Sequence, residues 1–337
     1  MPEPLLEVRD LRVHFPTEDG LVKAVDGISF QIMPGETLGV VGESGSGKSV
    51  SFLTVMRLIT TKQAVIEGEV LFQGQDLLTL PLDEMRHIRG EKISMIFQDP
   101  MTSLHPFYRV GYQIAEAVRA HQKVSKKEAM EQSIEMLRRV NIPKPEERAR
   151  QYPHEFSGGM RQRAMIAMAL SLNPDLLIAD EPTTALDVTV QAQILDLIDR
   201  LQTEFNAAVV MITHDLGVVA EHCDQIQVMY AGKIVEEGNG NDIYYTAHHP
   251  YTWGLLGSIA RVDDDTNERL QPIRGLPPSL IYRPEGCAFH PRCPHAFDRC
   301  RKEVPELMPS DGHHASACHL PLGEKQKIFA EQTAARR

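Results

Sequence analysis

The sequence predicts an α/β fold in which a mainly parallel sheet carries helices on both faces. Apolar, β-branched runs at 176–179 and 208–213 alternate with a stretch of helical periodicity at 188–205, and this alternation is typical of parallel strands connected by helices. A glycine-rich loop at 42–49 also separates an apolar run from a segment that can be helical. Such a strand, loop and helix are common in α/β folds that bind phosphate groups.

The first part of the chain is predicted to be rich in strands. Residues 5–15 and 21–32 alternate apolar and polar positions, and a turn-forming stretch that ends at Gly20 separates them. This pattern predicts two strands joined by a turn. Further short strands are expected at 67–72 and 92–97.

A helical region is expected next. Residues 111–140 place apolar side chains at helical spacing, and Pro143 and Pro145 end this pattern. A longer helix with an apolar face is predicted from Ser157 to about residue 172. We therefore expect a helical subdomain over about residues 100–172.

Composition divides the chain near residue 260. Residues 261–286 are first acidic and then proline-rich, with little periodicity, which indicates a linker. A compact segment rich in cysteine, histidine and proline follows, and residues 323–337 are expected to form a frayed helix. The predicted domains are a large one at 1–260 and an extension at 261–337.

The overall composition limits the possible classes of function. The chain has 337 residues, a hydrophobic content of 42% and a net charge of −11. It can build a large core, but it lacks the basic face that nucleic-acid binding requires. No apolar run reaches the roughly 18 residues that cross a bilayer, and residues 1–4 lack the pattern of a signal peptide. We expect a cytosolic protein that meets a membrane only through partners.

The glycine-rich loop predicts a phosphate cradle. Its glycines let consecutive backbone N–H groups face an anion, and the helix that follows adds partial positive charge. Lys48 is expected to reach the terminal phosphates, and Ser49 to offer its hydroxyl to Mg²⁺. The full loop reads Gly42, Glu43, Ser44, Gly45, Ser46, Gly47, Lys48 and Ser49.

Two other stretches offer groups for phosphate chemistry. The apolar run at 176–179 ends at Asp180, which would hold Mg²⁺, and Glu181, which would polarise the attacking water. The sequence Ser157-Gly158-Gly159 predicts a serine cap and two glycines that bare the first N–H groups of a helix, which makes a second anion site. Alone, each stretch is equally compatible with an ordinary strand end or helix cap. Together with the glycine loop they favour phosphoryl transfer.

With these motifs the chain resembles the ATP-binding subunits of ABC transporters over about residues 5–258. The usual signature Leu-Ser-Gly-Gly-Gln reads Phe-Ser-Gly-Gly-Met here. The resemblance implies the ABC-ATPase type of P-loop NTPase fold, with a RecA-like core, a β-subdomain and the helical subdomain, for the domain at 1–260. The ordered motifs are a Walker A at 42–49, a Q-loop at Gln98, a signature at 157–159, a Walker B at 180–181, a D-loop at Ala185-Leu186-Asp187 and a switch histidine at His214.

The same resemblance implies cofactors and further roles. ATP and Mg²⁺ would be bound, and Phe15 would stack on the adenine, although it also fits an ordinary strand core residue. Gln98 would touch Mg²⁺ and report the γ-phosphate to a membrane subunit, while His214 would hold that phosphate and the attacking water. Asp187 would couple two active sites across a dimer, in which each ATP lies between one subunit's phosphate loop and the other's signature helix.

The sequence disfavours two other classes of function. Soluble ABC proteins of DNA repair or translation carry two cassettes or a long coiled-coil insertion, and this chain has one cassette and no such insertion. A subunit with degenerate ATPase chemistry is disfavoured because Lys48, Glu181 and His214 are intact.

The tail narrows the resemblance to the dipeptide and oligopeptide importers, a group that includes nickel importers. It implies a peripheral subunit on the cytoplasmic face of the inner membrane that pairs with a second, homologous ATPase. Two transmembrane permease subunits and an extracytoplasmic peptide-binding protein would complete the importer. Nickel and antimicrobial-peptide importers share this architecture and stay open as alternatives. The segments that carry the resemblance are His249-Pro250-Tyr251-Thr252, Gly275-Leu276-Pro277-Pro278 and Pro291-Arg292-Cys293-Pro294.

Four cysteines of the tail predict a metal or cluster site. Their spacing is C-x5-C-x6-C-x17-C, and in a reducing cytosol such a group favours metal binding over disulfides. Four thiolates suit a [4Fe–4S] cluster or structural Zn²⁺. The absence of Cys-x2-Cys knuckles favours the cluster, which some members of the group that this chain resembles carry. Nearby histidines leave a zinc site open as an alternative, and unliganded thiols are a third. The cysteines are Cys287, Cys293, Cys300 and Cys318, whereas Cys223 is expected to be a buried packing residue.

Overall fold

The structure, a computed structural model, describes residues 3–61, 63–184, 186–258 and 273–334. Its strands are β1 (Leu6–Thr17), β2 (Gly20–Ile32), β3 (Thr37–Val41), β4 (Val65–Phe72), β5 (Gln75–Asp76), β6 (Ile93–Ile96), β7 (Leu176–Asp180), β8 (Ala208–Thr213), β9 (Gln225–Tyr230), β10 (Lys233–Gly238), β11 (Met308–Asp311) and β12 (His314–Ser316). Its helices are α1 (Lys48–Val55), α2 (Leu82–Glu91), α3 (Pro100–Ser103), α4 (Val110–His121), α5 (Lys126–Arg139), α6 (Pro145–Arg148), α7 (Gly158–Leu170), α8 (Val188–Phe205), α9 (Leu216–His222), α10 (Gly240–Tyr245), α11 (Pro250–Gly257), α12 (Asp298–Lys302) and α13 (Leu322–Ala334).

The chain divides into two compact units that interleave along the sequence. We call the first the helical unit, which is formed by the described residues within Met1–Leu5, Ile32–Glu36 and Thr79–Ile212. The second, the sheet unit, is formed by those within Leu6–Gln31, Thr37–Leu78 and Thr213–Arg337. None of the helices in the described ranges is long and apolar enough to span a bilayer.

Three parallel strands form the sheet of the helical unit. β6 pairs with β7, and β7 pairs with β8, both in parallel. Every residue of the three strands is buried, which explains why they occur as continuous apolar runs rather than alternating ones. The strands predicted at 92–97, 176–179 and 208–213 are confirmed.

Between residues 100 and 172 the regular elements are helices, as the periodicity predicts. The stretch at 111–140 contains two helices, α4 and α5, because a capping box at Ser125 starts α5. The Ser125 Oγ accepts from the Glu128 N–H at 3.2 Å, and the Glu128 carboxylate accepts from the Ser125 N–H at 2.8 Å. Such reciprocal bonds satisfy two donors that a helix start otherwise leaves open.

The sheet unit contains two sheets. One has the strand order β2-β1-β4-β5, with β1 and β4 antiparallel, and it confirms the strands predicted at 5–15, 21–32 and 67–72. In the other, β3 and β9 are parallel, whereas β9, β10, β12 and β11 follow one another in antiparallel pairs.

The tail is built into this second sheet. β12 pairs with β10, and Phe289 packs in the same apolar cluster as Val228, Tyr230 and Tyr251. The predicted helix at the end of the chain is observed as α13, and its last three predicted residues lie outside the described ranges. Residues 259–272 also lie outside those ranges, so the predicted linker is described only from residue 273, and the domain boundary near 260 stays a prediction.

Candidate active site

The phosphate loop leaves a fully buried strand and enters a helix. All five residues of β3 are buried, and α1 begins at Lys48 directly after the loop. Gly47 has a φ of +104°, and a Cβ there would lie 2.4 Å from the carbonyl oxygen of Ala24. A Cβ at Gly42 would lie 2.2 Å from the carbonyl oxygen of Met229. Both positions accept only glycine, because backbone atoms leave no room for a side chain.

Two polar side chains are buried with this loop. The Lys48 Nζ donates to the carbonyl oxygens of Gly42 at 2.6 Å and Glu43 at 3.1 Å, so the ammonium bridges the loop. Ser46 is 4% exposed, and its Oγ has no hydrogen-bond partner among the described residues. A buried hydroxyl without a partner is costly, and a phosphate oxygen would supply one. The loop therefore fits an anion.

Three other predicted site residues, Ser49, Phe15 and His214, also belong to the sheet unit. Ser49 is half-buried in the first turn of α1, and Phe15 is half-buried near the end of β1. His214 is exposed between β8 and α9, where the next residue, Asp215, caps α9 by accepting from the Gly217 N–H at 2.9 Å. The phosphate loop, the predicted adenine residue and the predicted switch histidine thus belong to one compact unit.

Two acidic residues end strand β7 in the helical unit. Asp180 is buried. Glu181 has a φ of +46°, and its N–H donates to the carbonyl oxygen of Ile212 at 2.8 Å. The Glu181 Oε2 accepts from the Gln98 Nε2 at 2.8 Å and from the Thr184 Oγ1 at 2.8 Å. The structure therefore joins the predicted Q-loop residue to the predicted catalytic carboxylate, and the left-handed backbone at Glu181 redirects the chain just after the strand.

The signature residues begin helix α7. The Ser157 Oγ accepts from the Met160 N–H at 3.3 Å, and Gly158 and Gly159 form the first turn. Ser157 and Gly158 are exposed. A Cβ at Gly159 would lie 3.0 Å from the Val190 Cγ1, so a residue without a side chain lets α8 approach this turn closely. The exposed N–H groups of this turn can face an anion.

Asp187 begins helix α8. Its Oδ1 accepts from the Val190 N–H at 3.0 Å, so the side chain serves as the N-cap of that helix. Ala185 of the predicted D-loop lies outside the described residues.

The four tail cysteines line one small cavity, together with His249, His290 and His295. Burial raises the pKa of the Cys287 thiol to about 11 and that of the Cys293 thiol to about 12, and it also raises the pKa of Cys318. Neutral thiols are therefore favoured without a metal, whereas a bound cation would favour thiolates. Cys223 ends α9 outside this group and is half-buried against the core rather than fully buried.

A second group of potential metal ligands is formed by Glu236, His248 and His314. In the part of the chain that the structure describes, their ligand atoms all lie within 4.8 Å of one another, and all three residues are buried. The His314 Nε2 and Glu236 are joined by a hydrogen bond of 2.8 Å.

Three residues near the predicted site were not singled out from the sequence. Thr184 contacts Glu181, the Tyr251 hydroxyl accepts from the Glu43 N–H at 2.7 Å, and Arg292 pairs with the Glu43 carboxylate. Tyr251 and Arg292 stand in the tail segments that carry the family resemblance. Their contacts with residue 43 span 208 and 249 positions of the chain, and no local pattern predicts pairs so far apart.

Comparisons with known proteins show the family of the chain. The chain matches the ABC transporter family over residues 25–184 and the C-terminal region of oligopeptide/dipeptide transporters over residues 235–300. It is 53% identical to the oligopeptide transport ATP-binding protein OppD of Salmonella typhimurium, with 96% of each chain covered. It is also 53% identical to the dipeptide transport ATP-binding protein DppD of Bacillus subtilis, over 92% of this chain and 93% of the relative.

Solved structures confirm the predicted fold class. The chain is similar to a dimeric structure of the ATP-binding cassette MJ0796 in a post-hydrolysis state bound to ADP and Pi, with a TM-score of 0.63 and 27% identity. This similarity covers 69% of this chain and 98% of that cassette. The chain therefore belongs to the ABC transporter family of ATP-hydrolysing, ATP-binding subunits, in the group that carries the oligopeptide/dipeptide transporter C-terminal region.

Proposed function

We propose that this chain hydrolyses ATP to drive uptake of dipeptides or oligopeptides through an ABC importer. The observation that carries the ATPase part is the phosphate loop, with its buried ammonium and a Ser46 hydroxyl that has no hydrogen-bond partner among the described residues. The peptide cargo is supported by 53% identity to OppD over 96% of the chain and by the transporter C-terminal region.

Nucleotide binding is assigned to the phosphate loop. The loop N–H groups, the Ser46 hydroxyl and Lys48 would hold the phosphates, and Ser49 and Asp180 would hold Mg²⁺. Phe15 would stack on the adenine. Fixed donors of this kind stabilise the charge that develops during phosphoryl transfer, at little reorganisation cost.

Hydrolysis is assigned to Glu181. Its carboxylate would orient and polarise the attacking water, with His214 on the γ-phosphate. The Gln98 amide and the Thr184 hydroxyl both donate to the Glu181 Oε2, so they fix the direction of the carboxylate. Because Gln98 also begins the predicted contact with the membrane subunit, this hydrogen bond supports a link between transport and hydrolysis.

The proposed working unit is a dimer with a second, homologous ATPase. Ser157, Gly158 and Gly159 would bind the ATP held by the partner's phosphate loop, and Asp187 would couple the two sites. The start of α7 supports this role, because Ser157 and Gly158 are exposed and the N–H groups of a helix start can donate to an anion from outside the chain.

The proposed membrane partners are two permease subunits, with an extracytoplasmic peptide-binding protein delivering the cargo. The chain would then sit at the cytoplasmic face of the inner membrane. Five large apolar side chains close to Gln98 in sequence are exposed, which supports the permease contact because interaction surfaces expose such side chains. They are Phe97, Met101, Phe107, Tyr108 and Tyr112.

For the tail we propose a [4Fe–4S] cluster held by Cys287, Cys293, Cys300 and Cys318. The four thiols line one cavity, and four cysteine thiolates are the usual ligands of such a cluster, which supports this assignment. The cluster would supply iron–thiolate bonds that hold the tail together. Iron and broad visible absorption after anaerobic purification are the expected results, whereas zinc without iron would reject the cluster.

The ATPase assignment is tested by Glu181→Gln. This variant should bind ATP as the wild type does, while hydrolysis by the assembled importer falls by about 100-fold or more, because the attacking water loses its carboxylate. The exposed Glu131→Gln on α5 is the matched control and should hydrolyse normally. Near-normal turnover by Glu181→Gln in the assembled importer would reject the assignment.

A further inference from the structure

The cysteine-rich tail contacts the phosphate loop through one arginine. The Arg292 Nη1 and Nη2 donate to the two carboxylate oxygens of Glu43 at 2.5 and 2.9 Å. The Arg292 side chain is 5% exposed and that of Glu43 is 26% exposed. This two-pronged, largely buried pair is the strong and directional type of ion pair. It joins the second residue of the loop to the residue before Cys293.

The tail fixes the position of this guanidinium. The Arg292 Nε donates to the carbonyl oxygen of Arg274 at 3.0 Å. The guanidinium also lies 5.9 Å from the ring centre of Tyr230 and 6.0 Å from that of Phe289. A guanidinium is positively charged throughout the pH range in which proteins fold. Arg292 is therefore charged and held before any nucleotide arrives.

Glu43 is held by four residues. Its carboxylate meets Arg292, and its N–H donates to the Tyr251 hydroxyl at 2.7 Å. Its carbonyl oxygen accepts from the Lys48 Nζ at 3.1 Å and from the Ser46 N–H at 3.2 Å. Arg292 and Tyr251 lie beyond position 250. The conformation of the phosphate loop at residue 43 is thus set partly by the C-terminal part of the chain.

The ion pair also neutralises the negative charge of Glu43 beside the predicted phosphate site. A carboxylate in a phosphate loop would repel the nucleotide, since like charges in a partly dehydrated site interact strongly. The buried guanidinium cancels that charge. We propose that Arg292 is a positioning residue for the nucleotide, which acts through Glu43 and makes tight nucleotide binding depend on the folded cysteine-rich tail. This inference rests on the proposed role of the phosphate loop in holding ATP.

The inference is tested by nucleotide affinity in the full-length chain. Arg292→Gln should weaken binding of a fluorescent ATP analogue by about tenfold, because it leaves the Glu43 charge unpaired. Adding Glu43→Gln should restore affinity to within about threefold of the wild type. Arg301→Gln removes an exposed arginine of the same segment and should bind as the wild type does.

The double variant separates positioning from a general loss of stability. If Arg292 merely supported the fold, the double variant would bind no better than Arg292→Gln, and the inference would be rejected. Unchanged affinity of Arg292→Gln would reject it as well. Should Arg292→Gln fail to fold, Arg292→Lys keeps the charge without the paired donors, and its affinity should fall by about threefold. Wild-type affinity of that variant would count against the inference.

Hydrogen exchange supplies a second readout. Because coupling between two sites is reciprocal, adding the nucleotide analogue should slow amide exchange over residues 287–300 in the wild type but not in Arg292→Gln. Equal slowing in both would contradict the inference. If wild-type protein failed to bind nucleotide at all, the proposed ATPase function itself would fall, whereas wild-type affinity in every variant would reject only the role of Arg292.

Discussion

At the scale of single residues, two glycines of the phosphate loop carry very different constraints. A Cβ at Gly47 would meet the carbonyl oxygen of Ala24 at 2.4 Å, whereas nothing lies within 4 Å of a Cβ at Gly45 among the described residues. Both have positive φ, +104° and +77°. The glycine motif predicts both residues equally, and only the packing around the loop distinguishes them.

This difference predicts unequal losses of stability. Gly47→Ala should lower the free energy of unfolding by about 2 to 4 kcal/mol, because backbone strain and a clash with a carbonyl combine. Gly45→Ala should cost only about 1 kcal/mol, from strain alone. Urea unfolding of nucleotide-free protein measures both values. Equal losses in the two variants would contradict the packing at Gly47.

At the scale of elements, caps set several boundaries that the sequence predicts well. Helix α8 occupies the predicted residues 188–205, because Asp187 caps its start and the left-handed Asn206 follows its end. Other features depend on distant partners. The short strand β12 pairs with β10, about 80 positions earlier in the chain, and such pairing stabilises a strand. The hydrogen bond between Gln98 and Glu181 joins residues 83 positions apart. The motifs therefore predict most functional groups but few of the contacts that orient them.

A buried histidine, His249, directly precedes helix α11 and should make stability depend on pH. The His249 Nδ1 accepts from the Tyr251 N–H at 3.1 Å at the start of this helix. Burial, aided by the positive charge of Lys325, lowers the pKa of His249 from 6.5 to about 3. The folded chain therefore keeps His249 neutral, whereas the unfolded chain takes up a proton below pH 6.5. Stability must fall as the pH drops from 6.5 toward 3.

His249→Asn tests this dependence, because asparagine retains an acceptor for the helix start and does not titrate. On going from pH 7.5 to 5.5 the wild type should lose about 1.4 kcal/mol more than the variant. Urea unfolding at the two pH values gives the difference. An identical loss in both proteins would show that His249 is protonated equally in the folded and unfolded chains.

At the scale of the whole molecule, the tail belongs to the same compact unit as the phosphate loop. Strand β12 extends the sheet that includes β3, and Arg292 reaches Glu43. Composition alone predicts a separate C-terminal extension, because the cysteine-rich segment differs so much from the rest of the chain. The alternation of strands and helices in the sequence predicts a sheet, but it does not predict that the short tail strands β11 and β12 join that sheet.

The thiol group should therefore affect the stability of the sheet unit. If the four thiols hold the proposed cluster, Cys300→Ser should lose iron and lower the free energy of unfolding by about 2 kcal/mol or more, since metal binding is coupled to folding. Cys223→Ser, outside the group, is the control and should contain as much iron as the wild type. Metal analysis and thermal unfolding check both variants. Equal metal content in Cys300→Ser and wild type would remove Cys300 from the proposed ligands.

The central claim is that ATP hydrolysis by this chain drives peptide uptake. The most direct measurement is the ATPase rate of the importer reconstituted in vesicles with its permeases, its second ATPase and its binding protein. Dipeptide or oligopeptide delivered by the binding protein should raise the rate severalfold, and Glu181→Gln should abolish that increase. A rate that responds to nickel but to no peptide, or that persists undiminished in Glu181→Gln, would contradict the account.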